Sequence, residues 1–179
     1  MSETLFVGID PGFNCGVAIY DPGENDVFAL VIRTTKRHGD DTARLQKILA
    51  NLALVLTSGG VGSAERVVLG VETQFGGRNP KFGSDTARGP AAVRGMMVGL
   101  AAARGWEVVE VAPAAAKRAM TGNAKASKKQ VQAMCEKRFG QHLAYDAADA
   151  VAIALVAEAE DRVVARVARI QAGAEEVTS

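Results

Sequence analysis

Leu5-Phe6-Val7-Gly8-Ile9-Asp10-Pro11-Gly12 is an apolar run that ends on a carboxylate where a tight turn begins. A short apolar run closed by Pro-Gly reads as a buried strand. An acid at the exit of such a strand is placed as a metal ligand is usually presented. Two more strand-like runs follow, Cys15 to Tyr20 and Val27 to Arg33, the second after the turn-rich Asp21-Pro22-Gly23-Glu24-Asn25-Asp26. Links this short join antiparallel neighbours, so the first part of the chain reads as a meander.

Beyond it the period changes. Asp40-Asp41 is placed to cap a helix whose apolar positions Leu45, Ile48, Leu49, Leu52 and Val55 recur at helical spacing until Ser58-Gly59-Gly60. Val67-Val68-Leu69-Gly70-Val71 is a second buried strand, and it too ends on an acid, Glu72. Ser84-Asp85 opens a helix carrying Val93, Met96, Met97 and Leu100, and Glu107 to Val111 forms another strand. A helix capped by Ser127 presents Val131, Met134, Cys135 and Phe139 and is stopped by Gly140. The last helix starts near Asp146 and runs past Val164 into a polar end. A meander followed by helix, strand, helix, strand, helix, helix describes an α/β domain with a mixed five-stranded sheet and helices on both faces.

The chain has 179 residues, about half of them apolar, which suits one domain with a substantial core. Lys plus Arg (21) nearly balance Asp plus Glu (20), so any nucleic-acid contact must come from local clusters. Cys15 and Cys135 sit in apolar contexts without metal-ligand spacing and read as buried thiols of a reducing compartment. With neither a leader pattern nor an apolar stretch of membrane-spanning length, the expectation is a cytoplasmic protein.

Asp146 and Asp149, three apart, share one face of a helix with Cβ atoms about 5–6 Å apart. With Asp10 and Glu72 at strand ends they make four acids suited to holding divalent cations for phosphodiester hydrolysis, two metal ions per site. Taken singly, Asp146 and Asp149 also fit simple helix-start acids, which the helix dipole favours. Glu72 is harder to explain as packing, because a carboxylate at the edge of a buried run loses hydration.

Gly8-Ile9-Asp10-Pro11-Gly12, Val71-Glu72 with Phe75 three residues on, and Asp146-Ala147-Ala148-Asp149-Ala150-Val151-Ala152-Ile153-Ala154 resemble, in matching order, the motifs of RuvC Holliday-junction resolvases. The resemblance covers Leu5 to Leu155. It implies a ribonuclease-H-like nuclease domain over residues 1–165, with 166–179 a helical and polar tail. It also implies Asp10, Glu72, Asp146 and Asp149 as catalytic metal ligands, Mg²⁺ as cofactor with Mn²⁺ as substitute, a homodimer, nicking of opposed strands at a four-way junction, and a branch-migration motor as a further partner. The compact Phe13-Asn14-Cys15-Gly16-Val17-Ala18 resembles phage-type relatives, which widens the expected substrates to flaps and forks.

Lys117, Arg118, Lys125, Lys128 and Lys129 cluster before and within the first turn of the helix that Ser127 caps, where cations oppose the helix dipole. A bound phosphate would offset that cost; a solvated basic face is the plainer reading. By resemblance, Lys117 and Lys128 lie near the scissile phosphate, Lys128 among the catalytic groups. Phe75-Gly76-Gly77-Arg78-Asn79-Pro80-Lys81-Phe82-Gly83 is glycine-rich, basic and aromatic. It reads as a DNA-binding loop through Phe75, Arg78 and Lys81, Phe75 being the base-stacking wedge that the resemblance implies; Phe82 either joins it or packs beneath the loop. Gly89, Gly95 and Gly99 weaken a helix interior unless another helix approaches closely, from this chain or from a second copy. His38 reads as a surface residue, and His142 as the same or as a catalytic group beside Asp146. Two readings of other classes stand beside the nuclease: an actin-like or sugar-kinase-like ATPase, whose phosphate-binding start Gly8 to Gly12 resembles, and a non-catalytic junction-binding protein.

Overall fold

The structure is a computed structural model and describes residues 4–58, 60–73 and 84–177. The three early runs form β1 (Thr4–Asp10), β2 (Asn14–Asp21) and β3 (Asp26–Arg33). They pair as the expected antiparallel meander, with Asp10 opposite Gly16 and Val17 opposite Leu30. After α1 (Asp41–Ser58), β4 (Arg66–Glu72) returns parallel to β1 with Ile9 opposite Val71. After α2 (Ser84–Arg104), β5 (Glu107–Val111) adds parallel to β4 with Glu72 opposite Val111. The sheet order is β3-β2-β1-β4-β5, the mixed five-stranded sheet expected from the sequence.

Strand periodicity divides the core in two. Leu5, Val7, Ile9, Val17, Ile19, Val67, Leu69 and Val71 face one side, packing on Ile48, Leu52 and Leu56 of α1 and Val93, Met97 and Ala101 of α2. Phe6, Ala18, Tyr20, Val68 and Val111 face the other, beneath α3 (Pro113–Thr121), α4 (Lys128–Phe139) and α5 (Tyr145–Val177). Asp10 follows Phe6 and Gly8 in the alternation, as Glu72 follows Val68 and Gly70. Both acids therefore leave the sheet on the α5 side.

Small residues bring α5 unusually close to the sheet. A Cβ on Gly8 would stand under 3.0 Å from the Ala150 carbonyl oxygen and the Ala154 nitrogen, and one on Gly16 would overlap the Asp146 carbonyl in the same way. Ala147, Ala148, Ala150, Ala152, Ala154 and Ala157 are all buried along the facing helix. Glycine on the strands and alanine on the helix thus set the first turn of α5 directly over the end of β1, beside Asp10.

Three details depart from the sequence reading. A helix over Pro113–Thr121 was not expected; it buries only Ala116 and Met120, too few to give a periodic signal, yet Pro113 in its first turn and Gly122 in the left-handed region just past its end mark it. On α1 the buried positions are Ile48, Leu52 and Leu56, while Leu49 is 40% exposed. Met134 of α4 is also exposed, leaving Val131 and Cys135 as that helix's buried anchors. The last helix runs past Val164 as expected, and the helical tail from residue 166 is its unbroken continuation to Val177. Both cysteines are buried free thiols, as expected, and burial raises them, Cys15 to about 12 and Cys135 to about 11.

Candidate active site

Asp10, Asp146 and Asp149 converge from the end of β1 and the first turns of α5, offering carboxylate oxygens that all lie within 4.8 Å of one another. Glu72 stands outside that group of three but close enough for its charge to raise Asp10. Burial is the main reason that Asp10 is pushed up to about 8, with Glu72, Asp149 and Asp146 adding to it and Lys128 opposing it. Burial likewise raises Glu72, helped by the charge of Asp149 and opposed by Lys128 and Lys117. The site is an excess of negative charge held in a partly dry place. Its donors are oxygens alone, which suit a hard divalent cation such as Mg²⁺, Mn²⁺ or Ca²⁺.

Lys128 is the one cation tied directly to these acids among the described residues. It lies at the first residue of α4, whose N-terminus is fixed by a reciprocal cap between Ser127 and Gln130. From there its Nζ donates to Asp146 Oδ1 at 2.8 Å and stands 3.1 Å from Asp149 Oδ2. Burial opposes the ammonium charge, but the bonds to the two aspartates outweigh it and raise its pKa. The contact spans 18 residues of sequence. Clustering of lysines near a helix start pointed to the region, but not to this ion pair.

The other basic residues separate. Lys117 on α3 is near enough to stabilise the Glu72 carboxylate. Its neighbour Arg118 lines a groove between α3 and α5 with Ala115, Val156, Glu160 and Val163. Lys125, in the link between α3 and α4, and Lys129, in the first turn of α4, are exposed. His142 pairs with Glu136 at 2.9 Å and is largely exposed, so the surface reading of this residue is the one the geometry favours. Phe75, Arg78, Lys81 and Phe82 lie outside the described residues.

Comparison with known proteins adds to this geometry. The family model "Crossover junction endodeoxyribonuclease RuvC" matches residues 6–157. The chain belongs to the RuvC family. Relatives include the crossover junction endodeoxyribonucleases RuvC of Salinibacter ruber, 33% identical over 84% of this chain and 83% of its own length, and of Leifsonia xyli, 35% identical over 83% and 71%. Among solved structures, Thermus thermophilus RuvC in complex with a Holliday junction substrate superposes with a TM-score of 0.65 at 26% identity, over 84% of this chain and 90% of that one. The ribonuclease-H-like RuvC fold and the nuclease class expected from the sequence therefore hold. The ATPase and non-catalytic readings give way to a RuvC-type endodeoxyribonuclease with an acidic, metal-suited cluster.

Proposed function

We propose that the chain is a Mg²⁺-dependent Holliday-junction resolvase that nicks opposed strands of a four-way DNA junction as a homodimer. The observation that carries the reading is the convergence of Asp10, Asp146 and Asp149 at one point of a RuvC fold, with Glu72 beside them. Asp10, Asp146 and Asp149, flanked by Glu72, would hold two Mg²⁺ ions, or Mn²⁺ in their place. When bound, such ions polarise the phosphoryl group and make water a nucleophile at neutral pH.

The chain's own groups divide the remaining work. Lys128 holds Asp146 and Asp149 in place and brings a fixed positive charge to the point where a phosphorane would become more negative. Lys117 offers a second charge on the Glu72 side. Arg118, Lys125 and Lys129, with Arg78 and Lys81, supply backbone contacts to DNA, and Phe75 is the wedge that stacks at the branch point. A nuclease unit over residues 1–165, a dimer seated on the exposed Gly95 and Gly99 of α2, and a motor that moves the junction complete the reading.

The test is cleavage of an end-labelled four-way junction beside linear duplex, flap and fork of matching sequence, with Mg²⁺, with Mn²⁺ and with chelator. Paired nicks confined to the junction and abolished by chelator are expected. Equal cutting of flaps and forks would replace the proposal by a broader branch nuclease, and binding without cutting under either metal would overturn it.

A further inference from the structure

The turn that leaves Asp10 is held by a clamp that the mechanism above does not use. Phe13, at the tip of the β1–β2 hairpin, is gripped on three sides. The Arg44 guanidinium of α1 lies over its ring at 3.4 Å from the centroid. Its carbonyl accepts from both the backbone N–H and the hydroxyl of Thr34, at 3.0 and 2.7 Å, and Thr34 is one of few buried polar residues. Its ring edge fills a notch at Gly89 of α2, where an added Cβ would stand under 3.0 Å from Cδ2, Cε2 and Cζ. Arg44 is itself fixed, pairing with Asp41 at 3.0 Å and reaching Thr34 Oγ1 at 3.4 Å, with only 12% of its side chain exposed.

The Thr34 bonds extend the β2–β3 pairing of Asn14 with Arg33 by one residue, while the Arg44 and Gly89 contacts join the hairpin to α1 and α2, which the sheet does not. Asp10 is the last residue of β1 to pair with β2, opposite Gly16, and Pro11-Gly12-Phe13 lie outside the ladder. Four acids repel one another at this end of the hairpin, so the turn needs a restraint from outside the sheet to keep the Asp10 carboxylate in place. Phe13 supplies it, and the restraint reaches α2 because glycine at 89 leaves room for the ring.

We propose that Phe13 is a positioning residue that locks the Asp10 turn to α2 through the Gly89 notch, with Arg44 lying over the face of the ring. The inference rests on the reading of Asp10 as a metal ligand and deepens it. Any shift of α2 at Gly89 is passed through one aromatic ring to the site, so the seating of that helix and the loading of the cation are coupled. Gly89 is needed for its missing side chain and not for backbone freedom, since it sits within the helix.

The experiment is Mn²⁺ titration of the full-length protein by electron paramagnetic resonance, together with junction cleavage and thermal unfolding, on Gly89→Ala, Phe13→Ala, Phe13→Leu, Phe13→Leu/Gly89→Ala and Asp10→Asn. Gly89→Ala drives a methyl into the Phe13 ring, so a purely structural role predicts a lower melting temperature with Mn²⁺ affinity and cleavage unchanged at temperatures where the variant stays folded. The clamp predicts a loss in the folded variant as well: Mn²⁺ affinity and cleavage fall by about 10–100-fold, beyond what any lowered melting temperature explains. Phe13→Ala shows the same loss without crowding the notch, which serves if Gly89→Ala fails to fold. The double variant, in which the smaller leucine leaves room for the new methyl, recovers much of what each single change loses. Full Mn²⁺ affinity and cleavage in Gly89→Ala and Phe13→Ala would overturn the inference, as would additive losses in the double variant. Asp10→Asn separates the two ideas: its loss of Mn²⁺ binding beside unaffected Phe13 variants sinks the clamp alone, whereas retained binding and cleavage in Asp10→Asn sinks the active-site reading beneath it.

Discussion

Asp10 is the residue at which burial and repulsion meet, and its raised pKa, about 8 against an ordinary 3.8, has a direct consequence for stability. Between those values the folded state holds a proton that the unfolded chain has released, so the metal-free protein is expected to lose stability as pH rises from about 4 to about 8. Asp10→Asn should flatten that slope, and thermal melts across the range in chelator would show it. A cation replaces the proton, so Mn²⁺ should bind more tightly as pH rises through the same window, with proton release on binding that calorimetry in buffers of different ionisation enthalpy reads directly. For Lys128 the expectation is a split: Lys128→Met lowers cleavage by about 10²–10³-fold while Mn²⁺ binding holds or strengthens, because a competing positive charge is gone. Weakened Mn²⁺ binding in that variant would assign Lys128 to the architecture of the site. Much of this residue-level picture was legible beforehand, since Asp10 and Glu72 are conspicuous as acids closing apolar strands. The Lys128 ion pairs and the Phe13 clamp were not, because their partners lie far along the chain and no local pattern announces them.

At the scale of elements, the close seat of α5 on the sheet governs the site. Gly16→Ala would drive a methyl into the Asp146 carbonyl and Gly8→Ala into the Ala150 carbonyl. Each is expected to cost about 1–3 kcal/mol or more, by the usual penalty of overpacking, and to reduce cleavage beyond what lost stability explains. Chemical denaturation and cleavage assays on the same samples separate the two effects. Strands β1, β2, β3 and β4 were readable because their apolar runs are bounded by strong turns, and α5 because its alanine-rich face is long. The short α3 was hidden by its few buried residues, although Pro113 and Gly122 bracket it. The far end of α5 leaves Val163, Val164, Val167 and Ile170 exposed. A chain ending at Ala165 is therefore expected to keep its fold and its junction cleavage, and loss of either would move the boundary of the nuclease unit into the tail.

At the scale of the whole molecule, the sheet order and the parallel return of β4 beside β1 bring the acids to one end of the sheet, within a fold that the RuvC family model covers over residues 6–157. Of the three α2 glycines, Gly89 is filled from within by Phe13, while Gly95 and Gly99 meet nothing within 4 Å. If a second copy seats there, Gly95→Leu with Gly99→Leu should convert a dimer to monomers in analytical ultracentrifugation and uncouple the paired nicks; an unchanged dimer would place the interface elsewhere. The central claim is that four acids hold the cations that cut DNA. Its most direct test is single-turnover cleavage and equilibrium binding of one four-way junction by Asp10→Asn, Glu72→Gln, Asp146→Asn and Asp149→Asn beside the unaltered protein. The predicted result is cleavage reduced by about a hundredfold or more in all four with junction binding retained, and wild-type cleavage in any one of them would contradict the account.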